Sequence, residues 1–289
     1  MNEAPPPDGP LAPSGGDRRL RAAVLGSPIA HSKSPALHRA AYAGLGVDWA
    51  YDAIEVDEAA LAAFMGGLGP EWAGLSLTMP LKQAVIPLVD WLDPRAAATA
   101  AVNTVVLPGA PTFDGTVRGY NTDVAGIVAA VQPLLAGRPD SVVILGSGAT
   151  ARSAAAAAVD LGARHVDVVA RRRVAAEDVA RIATDLGSPA TSTLALSDRS
   201  AVQSCVAAAD LVISTLPAGV GEVVADVELA GDGVLLDVVY APWPTALARS
   251  WDGPVAPGSE MLLLQAVAQV RLMTGLDPDV DLMRQALSG

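Results

Sequence analysis

SVVILGSGATARSAAAAAVD, residues 141–160, is the stretch on which the fold turns. Val142 to Leu145 form a four-residue branched apolar run, as a strand buried on both faces requires. Gly146 and Gly148 then break the run, an alanine-rich helix follows, and Val166 to Ala170 supply a second apolar strand. Strand, glycine turn, helix and strand make one unit of a parallel sheet. The two glycines let the backbone come close to a pyrophosphate, and the helix start adds free N–H groups and a partial positive charge. Gly146, Ser147, Gly148, Ala149 and Thr150 are therefore candidate dinucleotide-binding residues. Ala149 and Thr150 fall where the usual fingerprint has more glycine, which keeps an ordinary tight turn open as the plainer alternative.

Working outward, the second strand ends in Ala170, Arg171, Arg172 and Arg173 rather than in the acidic residue that would hold an adenosine 2'-hydroxyl. Guanidinium groups at that point suit a 2'-phosphate, so NADP(H) is favoured over NAD. Arg173 also fits a surface bystander. Further on, DLVISTLP (210–217) and VLLDVVYAPWP (234–244) read as short central strands closed by proline. SEMLLLQAVAQVRLMTG (259–275) reads as an amphipathic helix stopped by Gly275 and expected to pack back on the first half of the chain.

Upstream, RAAVLGSPI, WAYDAIEV and WAGLSLTM are strand-like and alternate with the helical stretches SPALHRAAYAGLG, EAALAAFMGGL and, beyond Pro80, LKQAVIPLVDWL. Such alternation predicts a mostly parallel sheet with helices on its faces. DVAGIVAAVQPLL, from Asp123, predicts the helix that opens the second half. The expected architecture is α/β in two domains. A discontinuous substrate domain takes 18–122 plus 258–289, and a Rossmann-like NADP-binding domain with a parallel sheet takes 123–257. Residues 1–17, rich in Pro and Gly, read as a disordered tail with no signal-peptide pattern.

Composition narrows the function classes. A formal charge of −12, from 31 acidic and 19 basic residues among 289, repels nucleic acid and anionic membrane surfaces. No apolar run approaches the roughly 20 residues of a membrane span. The single cysteine, Cys205, forms no internal disulfide and sits in an apolar stretch that predicts an inert core thiol. Expected, then, is a cytoplasmic protein acting on a small molecule, a monomer or homodimer. No His, Cys and carboxylate cluster has metal-ligand spacing, so no metal is expected.

Four polar segments interrupt the first half: GSPIAHSKSPALH, LSLTMPLK, AVNTVV and GYNTD. Hydroxyls and amides at strand ends suit a polyol, because each buried ligand hydroxyl needs a partner. Hydride transfer to a carbonyl leaves an alkoxide that needs a proton or a positive field, and Lys82 can supply both. Asp123 would orient that ammonium. Taken alone, Lys82 reads equally as a surface lysine and Asp123 as a helix N-cap. His31, His38 and His165 are read as structural, and Met261 with the leucines after it as core.

Together these segments resemble the shikimate dehydrogenase family over nearly the whole chain after the tail. By that resemblance, Ser32 and Ser34 bind the substrate carboxylate, Thr78 and Asn103 bind substrate, and Lys82 transfers the proton in partnership with Asp123. LLDVVYAPWPT and GSEMLLLQA resemble the closing motifs, with Tyr240 and Gln265 on the substrate and Val238 and Gly258 near the nicotinamide. The implied reaction is the reversible NADPH-dependent reduction of 3-dehydroshikimate to shikimate, in aromatic amino acid biosynthesis. Quinate or aminoshikimate dehydrogenase and a non-catalytic NADPH-binding protein are the alternatives. Three departures stand out: Ser76 where the family commonly has asparagine, the loop GSGAT, and Ala170-Arg171-Arg172 in place of Asn-Arg-Thr.

Overall fold

A computed structural model describes residues 19–188, 190–217 and 229–287. The predicted tail, 1–17, lies outside the described residues. The chain opens with β1 (Leu20–Gly26), α1 (Ser34–Leu45), β2 (Trp49–Glu55), α2 (Glu58–Gly66) and β3 (Trp72–Leu77). Short elements follow: α3 (Leu81–Ala84), β4 (Trp91–Leu92), α4 (Pro94–Thr99), β5 (Thr104–Val106) and β6 (Arg118–Tyr120). These strands form one sheet in the order β2-β1-β3-β5-β6-β4.

One expectation is refined here and one changes. The sheet is mostly parallel, across β2, β1 and β3 and again between β6 and β4, but antiparallel where β5 meets β3 and β6. β5 and β6 are joined by a loop with no crossover helix, and only antiparallel neighbours can be joined that way. LKQAVIPLVDWL, expected as one helix, is a single helical turn, a 3-10 turn over Ile86–Leu88 and the two-residue strand β4. Pro87 explains the break: it has no N–H for the Gln83 carbonyl and its ring crowds that carbonyl.

The second half carries α5 (Thr122–Val131), β7 (Ser141–Leu145), α6 (Ala149–Asp160), β8 (His165–Ala170), α7 (Arg173–Asp185), β9 (Ala190–Ala195), α8 (Arg199–Ala207) and β10 (Leu211–Ser214). After residues 218–228 come β11 (Val234–Asp237), α9 (Ala246–Arg249), β12 (Val255–Pro257), α10 (Gly258–Thr274) and α11 (Val280–Gln285). Its sheet, β12-β11-β10-β7-β8-β9, is parallel throughout. The order runs outward in both directions from β7, so the topological switch lies at the end of β7, where the glycine turn sits.

α5 and α10 join the halves. Ile127 and Val131 of α5 are buried with Val142, Ile144 and Val168 of the second sheet, while Leu263, Val267 and Val270 of α10 are buried with Val24, Leu37 and Tyr51 of the first. The two helices approach closely because of Gly126: a Cβ there would lie 2.8 Å from Gln265 Cβ and 3.0 Å from the Met261 carbonyl oxygen. His165 is the first residue of β8 rather than preceding it, and bonds Asp167 at 3.0 Å. Cys205 is half-buried in α8; burial pushes its thiol up to about 11, which suppresses the reactive thiolate.

Candidate active site

Between the sheets lies a cavity of about 300 Å³. From the first sheet it takes the loop after β1 with Ser32 and Ser34, the end of β3 with Ser76 and Thr78, Lys82 of α3 and Asn103 before β5. α5 contributes Asp123 and α10 contributes Gly258 and Gln265. The second sheet supplies Thr150 at the start of α6 and, after β11, Val238 and Tyr240. All eight residues expected on the substrate therefore line one cavity. Three of the expected cofactor residues, Thr150, Val238 and Gly258, share it.

Lys82 Nζ forms an ion pair with Asp123 Oδ2, and the two side chains are 14% and 5% exposed. Neither the surface-lysine nor the N-cap alternative survives. The cap of α5 is Asn121, whose side chain accepts from the Asp123 N–H at 3.1 Å, and Asp123 stands in the first turn. There the positive end of the helix stabilises its carboxylate. Its other oxygen, Oδ1, accepts from Asn103 Nδ2 at 2.8 Å. The Asn103 amide is oriented beyond ambiguity, since its Oδ1 accepts from the Thr122 backbone N–H at 2.8 Å. Gln265 Oε1 lies 3.2 Å from the same Nδ2, and Gln265 Nε2 donates to the Leu262 carbonyl at 2.7 Å.

The serine loop is braced in the same manner. The Ser34 N–H donates to Ser32 Oγ at 3.3 Å, and His38 Nδ1 donates to the Ser34 carbonyl at 3.0 Å. Burial lowers the His38 imidazole to about 4, against smaller upward pulls from the Ser34 carbonyl and the Gln269 amide, so it is neutral at pH 7. On the opposite wall, burial pushes the Tyr240 phenol above its ordinary value.

The glycine turn has a different character. Gly146 has φ +121°, and a Cβ there would lie 2.2 Å from Thr215 Oγ1, so the fold itself requires glycine. Gly148 has nothing within 4 Å of its would-be Cβ and no positive φ. It is exposed, as is Ser147, and α6 begins without a side-chain cap. An open, uncapped helix start of this kind fits a pyrophosphate. Arg171 and Arg172 are exposed and, among the described residues, have no ion-pair partner, whereas Arg173 pairs with Glu177 at 3.4 Å, consistent with a bystander. Gly258 admits the close pass of the Val238 backbone, whose oxygen would lie 2.3 Å from a Cβ. Met261 is buried as expected yet also lines the cavity, as does His31.

Two residues escaped the sequence reading. Gln269 lines the cavity wall, and Tyr51 stands behind Ser76. A signal existed for the first: Gln265 and Gln269 lie four apart on the apolar face of α10, where a polar pair needs a reason.

A parallel nucleotide-type sheet facing an ammonium–carboxylate pair across a polar cleft defines a dinucleotide-dependent dehydrogenase. The relatives specify which. Residues 24–105 match the shikimate dehydrogenase substrate binding domain, and 258–287 the shikimate 5'-dehydrogenase C-terminal domain. The shikimate dehydrogenase (NADP(+)) of Methanothermobacter thermautotrophicus is 36% identical over 91% of this chain and 94% of that protein. The crystal structure of Mycobacterium tuberculosis shikimate dehydrogenase superposes with a TM-score of 0.84 at 40% identity, over 93% of this chain and 99% of that one. The Thermus thermophilus shikimate 5-dehydrogenase, solved with NADP(H) and shikimate, gives 0.78 at 29%, over 93% and 98%. This chain belongs to the shikimate dehydrogenase family.

Proposed function

We propose that the chain reduces 3-dehydroshikimate to shikimate with NADPH, reversibly, and that its chemistry is carried by Lys82 and Asp123. One observation carries this reading: a buried ion pair opens into a cavity whose other polar side chains are hydroxyls, amides and the His31 imidazole. When bound, NADPH supplies the hydride to the ring ketone. Lys82 Nζ donates the proton that the resulting alkoxide takes up, and in the reverse direction receives it. Asp123, held by Asn103 and by the start of α5, keeps Nζ aimed at the reacting oxygen.

Ser32 and Ser34 are assigned to the carboxylate, and Thr78, Asn103, Gln265 and Tyr240 to the ring. The pyrophosphate goes to Gly146–Thr150, and Arg171 and Arg172, beyond Ala170, grip the 2'-phosphate. Val238 and Gly258 face the nicotinamide. The proposed division into 18–122 with 258–289 and 123–257 is supported by the buried clusters on the faces of the two sheets, one pair to each sheet. No helix among the described residues is long and apolar enough to cross a membrane; the formal charge of −12 disfavours nucleic-acid partners, and a cytoplasmic monomer or homodimer is the state we propose. The test follows NADP+ reduction by absorbance with shikimate and, separately, quinate as substrate. Turnover with shikimate and NADP+ is expected, and a strong preference for quinate with NAD would overturn the assignment.

A further inference from the structure

A continuous chain of hydrogen bonds runs behind the cavity from Tyr51 to Asp123, and every donor in it has one possible direction. At one end Asp123 accepts from Asn103 Nδ2 at 2.8 Å, which leaves Asn103 Oδ1 to accept from the Thr104 hydroxyl at 2.8 Å. Thr104 Oγ1 in turn accepts from Gln269 Nε2 at 3.0 Å. The Gln269 amide is pinned because the same Nε2 donates to the Asn103 backbone carbonyl at 3.1 Å. Its Oε1 must then accept from the Ser76 hydroxyl, 2.9 Å away. Having given up its only hydrogen, Ser76 Oγ accepts from the Tyr51 hydroxyl at 2.7 Å. Tyr51 is fully buried, stacked on His38 with ring centroids 4.0 Å apart, and burial pushes its phenol well up, so it remains a donor.

A hydroxyl offers one hydrogen and two lone pairs. At Ser76 the hydrogen and one lone pair are taken within the protein, and Ser76 lines the cavity. We propose that Tyr51, Thr104 and Gln269 are positioning residues that make Ser76 an acceptor-only contact, selecting a ring hydroxyl and refusing a carbonyl or carboxylate oxygen at that wall. An asparagine at this position would present an amide N–H₂ as well as an acceptor. With serine, the polarity at this one position has a single sign, so the carboxylate end of the ring is turned toward donors elsewhere in the cavity.

The inference rests on the proposed substrate, and its test reads binding rather than turnover. Calorimetric dissociation constants are measured for the full chain with shikimate and with analogues in which one ring hydroxyl, other than the oxidised one, is replaced by hydrogen or by fluorine. For one ring position, both replacements should weaken binding to the parent protein about tenfold. In Ser76→Ala the same replacements should change binding less than about twofold. In Gln269→Met the Ser76 hydrogen is released to turn toward the ligand, and the fluorine penalty alone should shrink. Ser76→Ala removes one hydroxyl and keeps the test alive if Gln269→Met does not fold. Equal penalties in the parent and Ser76→Ala would overturn the inference while leaving the proposed reaction intact. Hydroxyl selectivity that depends on Ser76, without turnover, would support the inference and sink the reaction. Failure to bind shikimate at all would remove both.

Discussion

The two walls of the cleft are built on opposite plans. On the first-sheet side the polar groups are buried and bonded to one another: Asn103, Thr104, Ser76 and Gln269 all have partners within the wall. On the nucleotide side, Ser147, Gly148, Arg171 and Arg172 are exposed. The ring ligand brings a single carboxylate and otherwise uncharged hydroxyls, so most of the groups that recognise it must be aimed before it arrives. A dinucleotide brings phosphates whose charge organises flexible arginines and an open helix start once bound. Orientation is stored in the protein on one wall and is supplied by the ligand on the other.

That contrast can be broken most severely at its charged centre. Lys82→Ala should lower turnover by a factor of about 100 to 10,000, the range for a positioned acid–base group, and steady-state kinetics with shikimate would measure it. A variant retaining most of its rate would remove Lys82 from the chemistry. Behind the same wall, His38 is neutral when folded and titrates at about 4 rather than 6.5. Its contribution to stability is therefore complete above pH 6.5 and is lost as pH falls from 6.5 toward 4, because the unfolded chain takes up the proton first. The loss should approach about 3 kcal/mol over that interval. Denaturant melts across it should show a correspondingly flatter pH dependence in His38→Phe.

On the nucleotide wall the expected effects are smaller and fall on the cofactor. Arg172→Ala should raise the KM for NADPH about tenfold and leave that for NADH nearly unchanged, given the strength of a charge-assisted phosphate contact. Equal effects on both cofactors would move the 2'-phosphate elsewhere. Gly148→Ala sharpens the comparison further. It should shift thermal stability by no more than about 0.5 kcal/mol, since its Cβ meets nothing, while weakening NADPH binding a few-fold as the added methyl reaches the pyrophosphate.

Legibility in the sequence followed the same line. β7, β8, β10 and β11 announce themselves because strands buried on both faces are short apolar runs, and the glycine turn marks the end of β7. β9, half-exposed and rich in Thr and Ser, shows no such run. β5 is three residues long and is preceded by Asn103, so AVNTVV reads as a polar loop even though it supplies a strand. Ser32, Ser34, Thr78, Lys82, Asn103 and Asp123 were legible because each belongs to a short polar segment interrupting apolar sequence, whereas Tyr240 and Gln265 sit in apolar runs and were legible only through the family resemblance. Tyr51 and Gln269 went unseen for the opposite reason. Each lies within an apolar element, and its meaning depends on Ser76, which is distant in sequence and adjacent only after folding.

α5 and α10 start where the chain passes from one sheet to the other, and each bears part of the site: Asp123 in the first turn of α5, Gly258 at the start of α10 and Gln265 two turns further on. Gly126 lets the pair lie almost backbone to backbone, like the two leaves of a butt hinge sharing one pin. Whatever swing carries the jaws apart to admit a nucleotide or release a product, displacement is least at the pin. Asp123, one turn from Gly126, stands beside that pin, so the carboxylate that holds Lys82 belongs to the part of the cleft that travels least.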